Sequence, residues 1–206
     1  HDGESWDLFG NSLAVSNDTC LVGAPWDNIA NRAYAGSVYV FVKTRDAWQM
    51  QAKLTAPELS DSGTFGTSVA ISGDLALVGS NAAHDDTGVP TGAAYLFQRQ
   101  GEQWQFIQRL IPQDAVADDQ FGWRVAISND TALISSIKHL DVSSSMMGKV
   151  AVFQFDGSSW TESTPWTSEA SVNTGFGTAL ALQGSMALVG SPGNERVDVY
   201  ERQASA

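Results

Sequence analysis

The chain has 206 residues and carries 11 Lys plus Arg against 23 Asp plus Glu, a formal net charge of −12; that balance excludes a general nucleic-acid binder, which needs clustered cations, and disfavours an anionic membrane face. Charged residues are only 17% and hydrophobic residues 43% of the chain, which excludes a disordered acidic tail, and no apolar run approaches the length of a membrane span. Cys20 is the single cysteine, so an internal disulfide, a multi-cysteine zinc site and a CxxC redox pair are ruled out.

In chain order, residues 1–8 come first and align with a loop that precedes a repeat rather than with a strand. They open on polar His1 to Glu4 with no basic-then-apolar leader, as expected of a mature chain whose signal has been removed. Terminal His1 has the groups to chelate a metal, but an arbitrary start explains it better. From there the chain repeats itself. Phe-Gly pairs stand at Phe9-Gly10, Phe65-Gly66, Phe121-Gly122 and Phe176-Gly177, spaced 56, 56 and 55 residues apart. Each opens a passage of one kind, from FGNSLAVSNDTCLVGAP in the first unit to FGTALALQGSMALVGSP in the fourth.

In the first unit, alternating Ser12 to Ser16 predicts a strand, Asn17-Asp18 a two-residue hairpin turn, and Cys20 to Gly23 a second strand. Val38 to Val42 predicts a third, and Trp48 opens a fourth after a short turn at Asp46. Units two and three repeat this with turns at Gly73-Asp74 and Asn129-Asp130 and with Trp104 and Trp160 in register. Unit four turns at Gly184-Ser185 and offers only a third strand, in ERVDVYERQ. No stretch keeps a helical period. The reading is all-β, fifteen short strands in one domain over 1–206, with repeats at about 9–64, 65–120, 121–175 and 176–206. Four antiparallel strands repeated radially predict β-propeller blades, the last lacking its outer strand.

The passages FGxSxAxS…ALVGxP and GxxYVF resemble the FG-GAP repeats of the integrin α-subunit propeller and of microbial surface proteins. Gly23-Ala24-Pro25 matches that motif fully, Gly79-Ser80-Asn81 and Gly190-Ser191-Pro192 in part, and Ser135-Ser136-Ile137 least. The resemblance implies an extracellular binding or adhesion role. Integrin-type repeats often carry an Asp-rich calcium loop between the first and second strands. Here that connection is two residues long, too short for calcium's several oxygen ligands, so no cofactor is expected. Such propellers usually have seven blades, which leaves a four-bladed ring, part of a larger ring, and a half that pairs with another chain all open. The strand at 196–201, with its alternating charges, is expected to be an exposed edge or such a seam.

The repeat also separates scaffold from site. Trp48, Trp104 and Trp160 recur and are read as packing between blades, as are Tyr39, Tyr95, Phe41, Phe97, Phe153 and Tyr200. Trp166 is read as core. Cys20, which aligns with Ala76, Ala132 and Ala187, is read as a small buried hydrophobe. The loops joining second to third strands and successive units are long and share one face, where binding residues concentrate. The once-only residues there are Trp26, Asp27, His84, Asp85, Asp86, Trp123, Arg124, Lys138, His139, Asp141, Met146 and Met147. Trp26 has the shape to stack on a sugar or anchor a partner. His84-Asp85-Asp86 has cation-ligand types, but neighbouring side chains diverge, so a solvated acidic loop is the better reading, with Asp85 and Asp86 the place for calcium if any binds. Asp118-Asp119 is read the same way, and Trp123-Arg124 as either a channel plug or a ligand contact. No Gly-x-Ser-x-Gly elbow, triad or metal motif is present, so the chain is not expected to be an enzyme. Asn17 and Asn129 head Asn-x-Thr sequons at the hairpin turns, candidates for N-glycosylation in a secreted protein.

These features predict a non-catalytic, secreted or cell-surface module that binds a protein or a glycan with its long-loop face. The alternatives are a lectin-like carbohydrate binder and an accessory subunit of a larger complex.

Overall fold

In a computed structural model, which describes residues 3–139, 148–167 and 174–201, each unit forms its own antiparallel sheet. The first holds β1 (Ser12–Ser16), β2 (Thr19–Ala24), β3 (Ser37–Lys43) and β4 (Trp48–Leu54), paired in that order. The second holds β5 (Ser68–Ser72), β6 (Leu75–Ser80), β7 (Ala93–Gln100) and β8 (Gln103–Leu110). The third holds β9 (Phe121–Ser128), β10 (Thr131–Ser136), β11 (Lys149–Phe155), β12 (Trp160–Glu162) and β13 (Trp166–Thr167). The fourth has β14 (Ala179–Gln183), β15 (Met186–Ser191) and β16 (Arg196–Glu201), with β16 at its edge. The β1–β2 type hairpins turn as the sequence requires, with Asn17, Gly73, Asn129 and Gly184 all left-handed.

The strand count differs from the fifteen expected. The outer strand of unit three is split, with β12 and β13 both pairing to β11, and Pro165, which has no N–H to give the ladder, lies between them.

Consecutive units join through one contact made three times. The Phe-Gly backbone of the following unit lies against a glycine just before the third strand of the preceding one: Gly36 meets Phe65, Gly92 meets Phe121, and Gly148 meets Phe176. Phe65 N–H donates to the Ala35 carbonyl at 3.0 Å and Phe121 N–H to that of Thr91 at 3.1 Å. Ser12 and Ser68 hydroxyls donate to the carbonyls of Gly66 and Gly122. Behind these bonds lie the cores. Leu21, Val38 and Val40 of unit one pack with Phe65, Val69 and Tyr95 of unit two, and the same pattern recurs at the next two junctions. The core therefore lies between blades, and each blade needs a neighbour to bury its faces.

The register tryptophans follow this rule. Trp104 Nε1–H donates to Gln51 Oε1 of the preceding unit at 3.0 Å, and the Trp160 backbone N–H donates to Gln108 Oε1 while its carbonyl accepts from Gln108 Nε2. Trp160 is 4% exposed, whereas Trp48 is 47% exposed, so the expectation of blade packing fails at Trp48. Trp48 lies on a face that no other unit covers among the described residues. Cys20 is likewise half-buried rather than buried, although Ala76, Ala132 and Ala187 at its position are covered. Trp166, read as core, is partly buried: it stacks on Tyr200 at 4.1 Å and packs against the core of the last junction. Among the described residues, the first and last sheets do not pack on each other as consecutive sheets do.

Candidate functional site

The loop between β2 and β3 is long and irregular, and it turns through Ala30, Asn31 and Tyr34 with positive φ. The Tyr34 N–H donates to Asn28 Oδ1 at 3.0 Å, which fixes the tyrosine beside Trp26. The two rings meet edge to face at 5.7 Å, and both stay exposed. With Ser62 and Thr64 they line an open cleft of about 290 Å³ where unit one meets unit two. The paired rings present an apolar contact surface and the Ser62 hydroxyl a polar edge, while the Thr64 hydroxyl lies within hydrogen-bond distance of the Gly63 carbonyl and Asn81 Oδ1.

Asp27, next in sequence, turns inward. It is buried, pairs with Lys53 Nζ at 2.9 Å and accepts from the Ser37 hydroxyl at 2.6 Å. A buried carboxylate with those partners holds the loop against β3 and offers nothing to a ligand.

His84, Asp85 and Asp86 diverge, as adjacent side chains in a turn do. Asp85 accepts from the Val89 and Thr87 N–H groups and the Thr87 hydroxyl, and these bonds, the Val89 one foremost, hold its carboxyl below the usual carboxylate range. It thereby closes the 85–89 turn. Asp86 pairs with Arg109 at 3.2 Å, and Arg109 also donates to the His84 carbonyl. Arg109 lies over the ring of Tyr95, whose hydroxyl burial pushes up to about 12 against the opposing pull of that guanidinium. No three His, Cys, Asp or Glu among the described residues converge as a metal site. If no cation is held, as the sequence predicts, EDTA should leave the melting temperature unchanged, since a bound ion would stabilise the fold by linkage.

Trp123 and Arg124 lie at the start of the inner strands. The guanidinium sits 5.3 Å from the Trp123 ring and donates back to the Trp123 carbonyl at 2.9 Å. Both side chains line a central cleft of about 480 Å³ together with residues of all four units, among them Ser12, Ser68 and Leu180. Lys138 is exposed, and its N–H donates to the Asp119 carbonyl. His139 Nδ1 lies 3.0 Å from buried Asp119 Oδ2, and Lys149, also buried, pairs with Asp114. Burial alone would raise the Asp114 carboxyl, but Lys149 outweighs it and holds the group below its usual range. This set ties the connection between units two and three to the β10–β11 side of unit three. Asp141, Met146, Met147 and His1 lie outside the described residues. Asn17 and Asn129 are exposed at their turns.

The structure thus gathers the sequence-based candidates at separate places on the long-loop side rather than at one centre. It adds Tyr34, Ser62 and Thr64 to Trp26. Tyr34 is a once-only aromatic of the same loop and was open to detection in the sequence, whereas Ser62 and Thr64 carried no signal.

The family model described as "FG-GAP repeat" matches residues 1–41, 48–97 and 104–153, more than half of the chain. No curated protein shows significant similarity to it. Among solved structures, one described as "Structure of YjhT" is similar in fold, with a TM-score of 0.51 and 11% sequence identity over 88% of this chain and 56% of that one. The chain thus spans just over half the length of that structure.

Proposed function

The chain belongs to the FG-GAP repeat family, and from that premise we propose that it is a non-catalytic binding module that holds a protein or a glycan on its long-loop face. The observation that carries this reading is the exposed Trp26–Tyr34 pair above Ser62 and Thr64. Two rings at an angle present apolar area with little entropy to lose, and the Ser62 hydroxyl adds direction. The two rings come from one loop and Ser62 and Thr64 from the segment leading into Phe65, so the cleft forms where that segment docks on the loop.

A lectin-like role is the second reading, because aromatic rings stack on sugar faces. Lectin pockets would be expected to recur between blades, yet Ala82 and Lys138 stand where Trp26 stands in unit one. That favours one adhesive contact over repeated sugar sites. An accessory role in a larger complex uses the same cleft as an anchor. Secretion or cell-surface display, with sugars on Asn17 and Asn129, accords with the family resemblance. No helix among the described residues is long and apolar enough to cross a membrane.

The test is a glycan array run beside a pull-down from extracellular material, with wild-type and Trp26→Ala chains. Loss of one interaction ring should weaken the captured ligand at least about tenfold. Equal capture by both chains would remove the cleft from the argument.

A further inference from the structure

Directly after each Phe-Gly pair the four units carry Asn11-Ser12, Thr67-Ser68, Trp123-Arg124 and Thr178-Ala179. The serines of units one and two belong to the scaffold. Ser12 Oγ donates to the Gly66 carbonyl at 2.7 Å and Ser68 Oγ to that of Gly122 at 2.9 Å, which ties each inner strand to the next unit. Each serine lies opposite a glycine of the second strand, Gly23 or Gly79. A Cβ on either glycine would overlap both the serine Oγ and the carbonyl it bonds, so this bond requires glycine there.

Unit three changes both partners at once. Ser135 stands where Gly23 and Gly79 stand, and Arg124 where the serines stand. The added Cβ leaves no room for the scaffold bond. The β9–β10 register shifts between Ile134 and Ser136, and the Arg124 N–H donates to Ser135 Oγ at 3.1 Å. The Arg124 side chain is thereby released from the junction. Its guanidinium lies 5.3 Å from the Trp123 ring and gives one hydrogen bond, to the Trp123 carbonyl.

Among the described residues no carboxylate stands within ion-pair distance of Arg124, in a chain whose net charge is −12. Arg32, Lys53, Arg99, Arg109, Lys149 and Arg196 each pair with an aspartate. Arg124 is only partly exposed, and a partly buried charge without a counter-ion stabilises any anion that reaches it. Its other guanidinium N–H groups and the buried Trp123 indole N–H have no acceptor among the described residues. Arg124 and Trp123 line the central cleft of about 480 Å³, within the size range of small-molecule sites. The rest of that lining is uncharged, polar at Asn11 and Thr67 and apolar at Leu13, Val125 and Leu180. One positive charge with no second cation beside it matches a single negative charge. A planar guanidinium fork matches the two oxygens of a carboxylate.

We infer that the central cleft is a binding site for a small organic monocarboxylate, whose carboxylate is held by Arg124 and whose apolar body lies against Leu13, Val125 and Leu180. This goes beyond the Trp26–Tyr34 cleft and does not rest on it.

Calorimetric titration of the full chain with benzoate and with butyrate tests the site. Saturable binding is expected, while benzamide, the uncharged counterpart of benzoate, and inorganic phosphate should each bind at least about tenfold more weakly. Arg124→Ser restores the residue of units one and two, so it should keep the β signal and melting temperature and lose benzoate affinity by at least about tenfold. Arg124→Lys keeps the charge without the fork and should bind benzoate more weakly than wild type. Trp26→Ala should bind it as wild type does. Absence of binding by both carboxylates, or benzamide or phosphate binding as tightly as benzoate, would overturn the monocarboxylate site. Unchanged benzoate affinity in Arg124→Ser would overturn the role of Arg124, and its loss in Trp26→Ala would move the binding to the other cleft and overturn this one.

Discussion

Gly92→Ala is expected to destabilise the chain by about 4 kcal/mol, among the large effects for a single substitution. Gly92 has φ +84°, and a Cβ there would lie on the Phe121 carbonyl oxygen and 2.6 Å from the Phe121 nitrogen. Both are backbone atoms held in the junction, so no side chain can swing aside. The control is Gly101→Ala in the β7–β8 hairpin. Its φ is +66° with no atom within 4 Å, so it should cost only the left-handed penalty of about 1–2 kcal/mol. Urea unfolding of both variants separates the two terms. Equal losses would mean that conformation alone, and not the approach of the next unit, requires glycine at 92.

Trp160→Ala should cost about 3–5 kcal/mol, the range for emptying a large buried aromatic site. Trp48→Ala, the equivalent change in unit one, should stay within about 0.5 kcal/mol. The side chains are identical and so is their place in the repeat. They differ in that Trp160 fills the space between units two and three, whereas Trp48 faces solvent. Comparable losses from the two variants would show that the first face is covered in solution.

The two substitutions also mark where reading the sequence succeeds and where it stops. Four Phe-Gly passages at a fixed period, two-residue turns that tolerate positive φ, and alternating strands determined the all-β blades and their order. Those features are local, set by backbone geometry within each unit, and the repeat gave each of them four times over. The same internal comparison separated recurring scaffold from once-only loop residues, and so picked out Trp26.

Burial was decided elsewhere. Asp27 and Trp26 are neighbours in a surface loop, yet one is sealed against Lys53 and Ser37 while the other stands open beside Tyr34. Nothing in their order in the chain distinguishes them, because the choice rests on which way β3 and β4 approach the loop. The exposure of Trp48 and the half-buried state of Cys20 have one origin. A blade buries its faces only against another blade, so the fate of a repeated residue depends on whether a neighbour is present. The amino-acid sequence by itself determined the unit. Only the tertiary structure decided which of its faces are covered, since coverage belongs to the junction between units and to no single one of them.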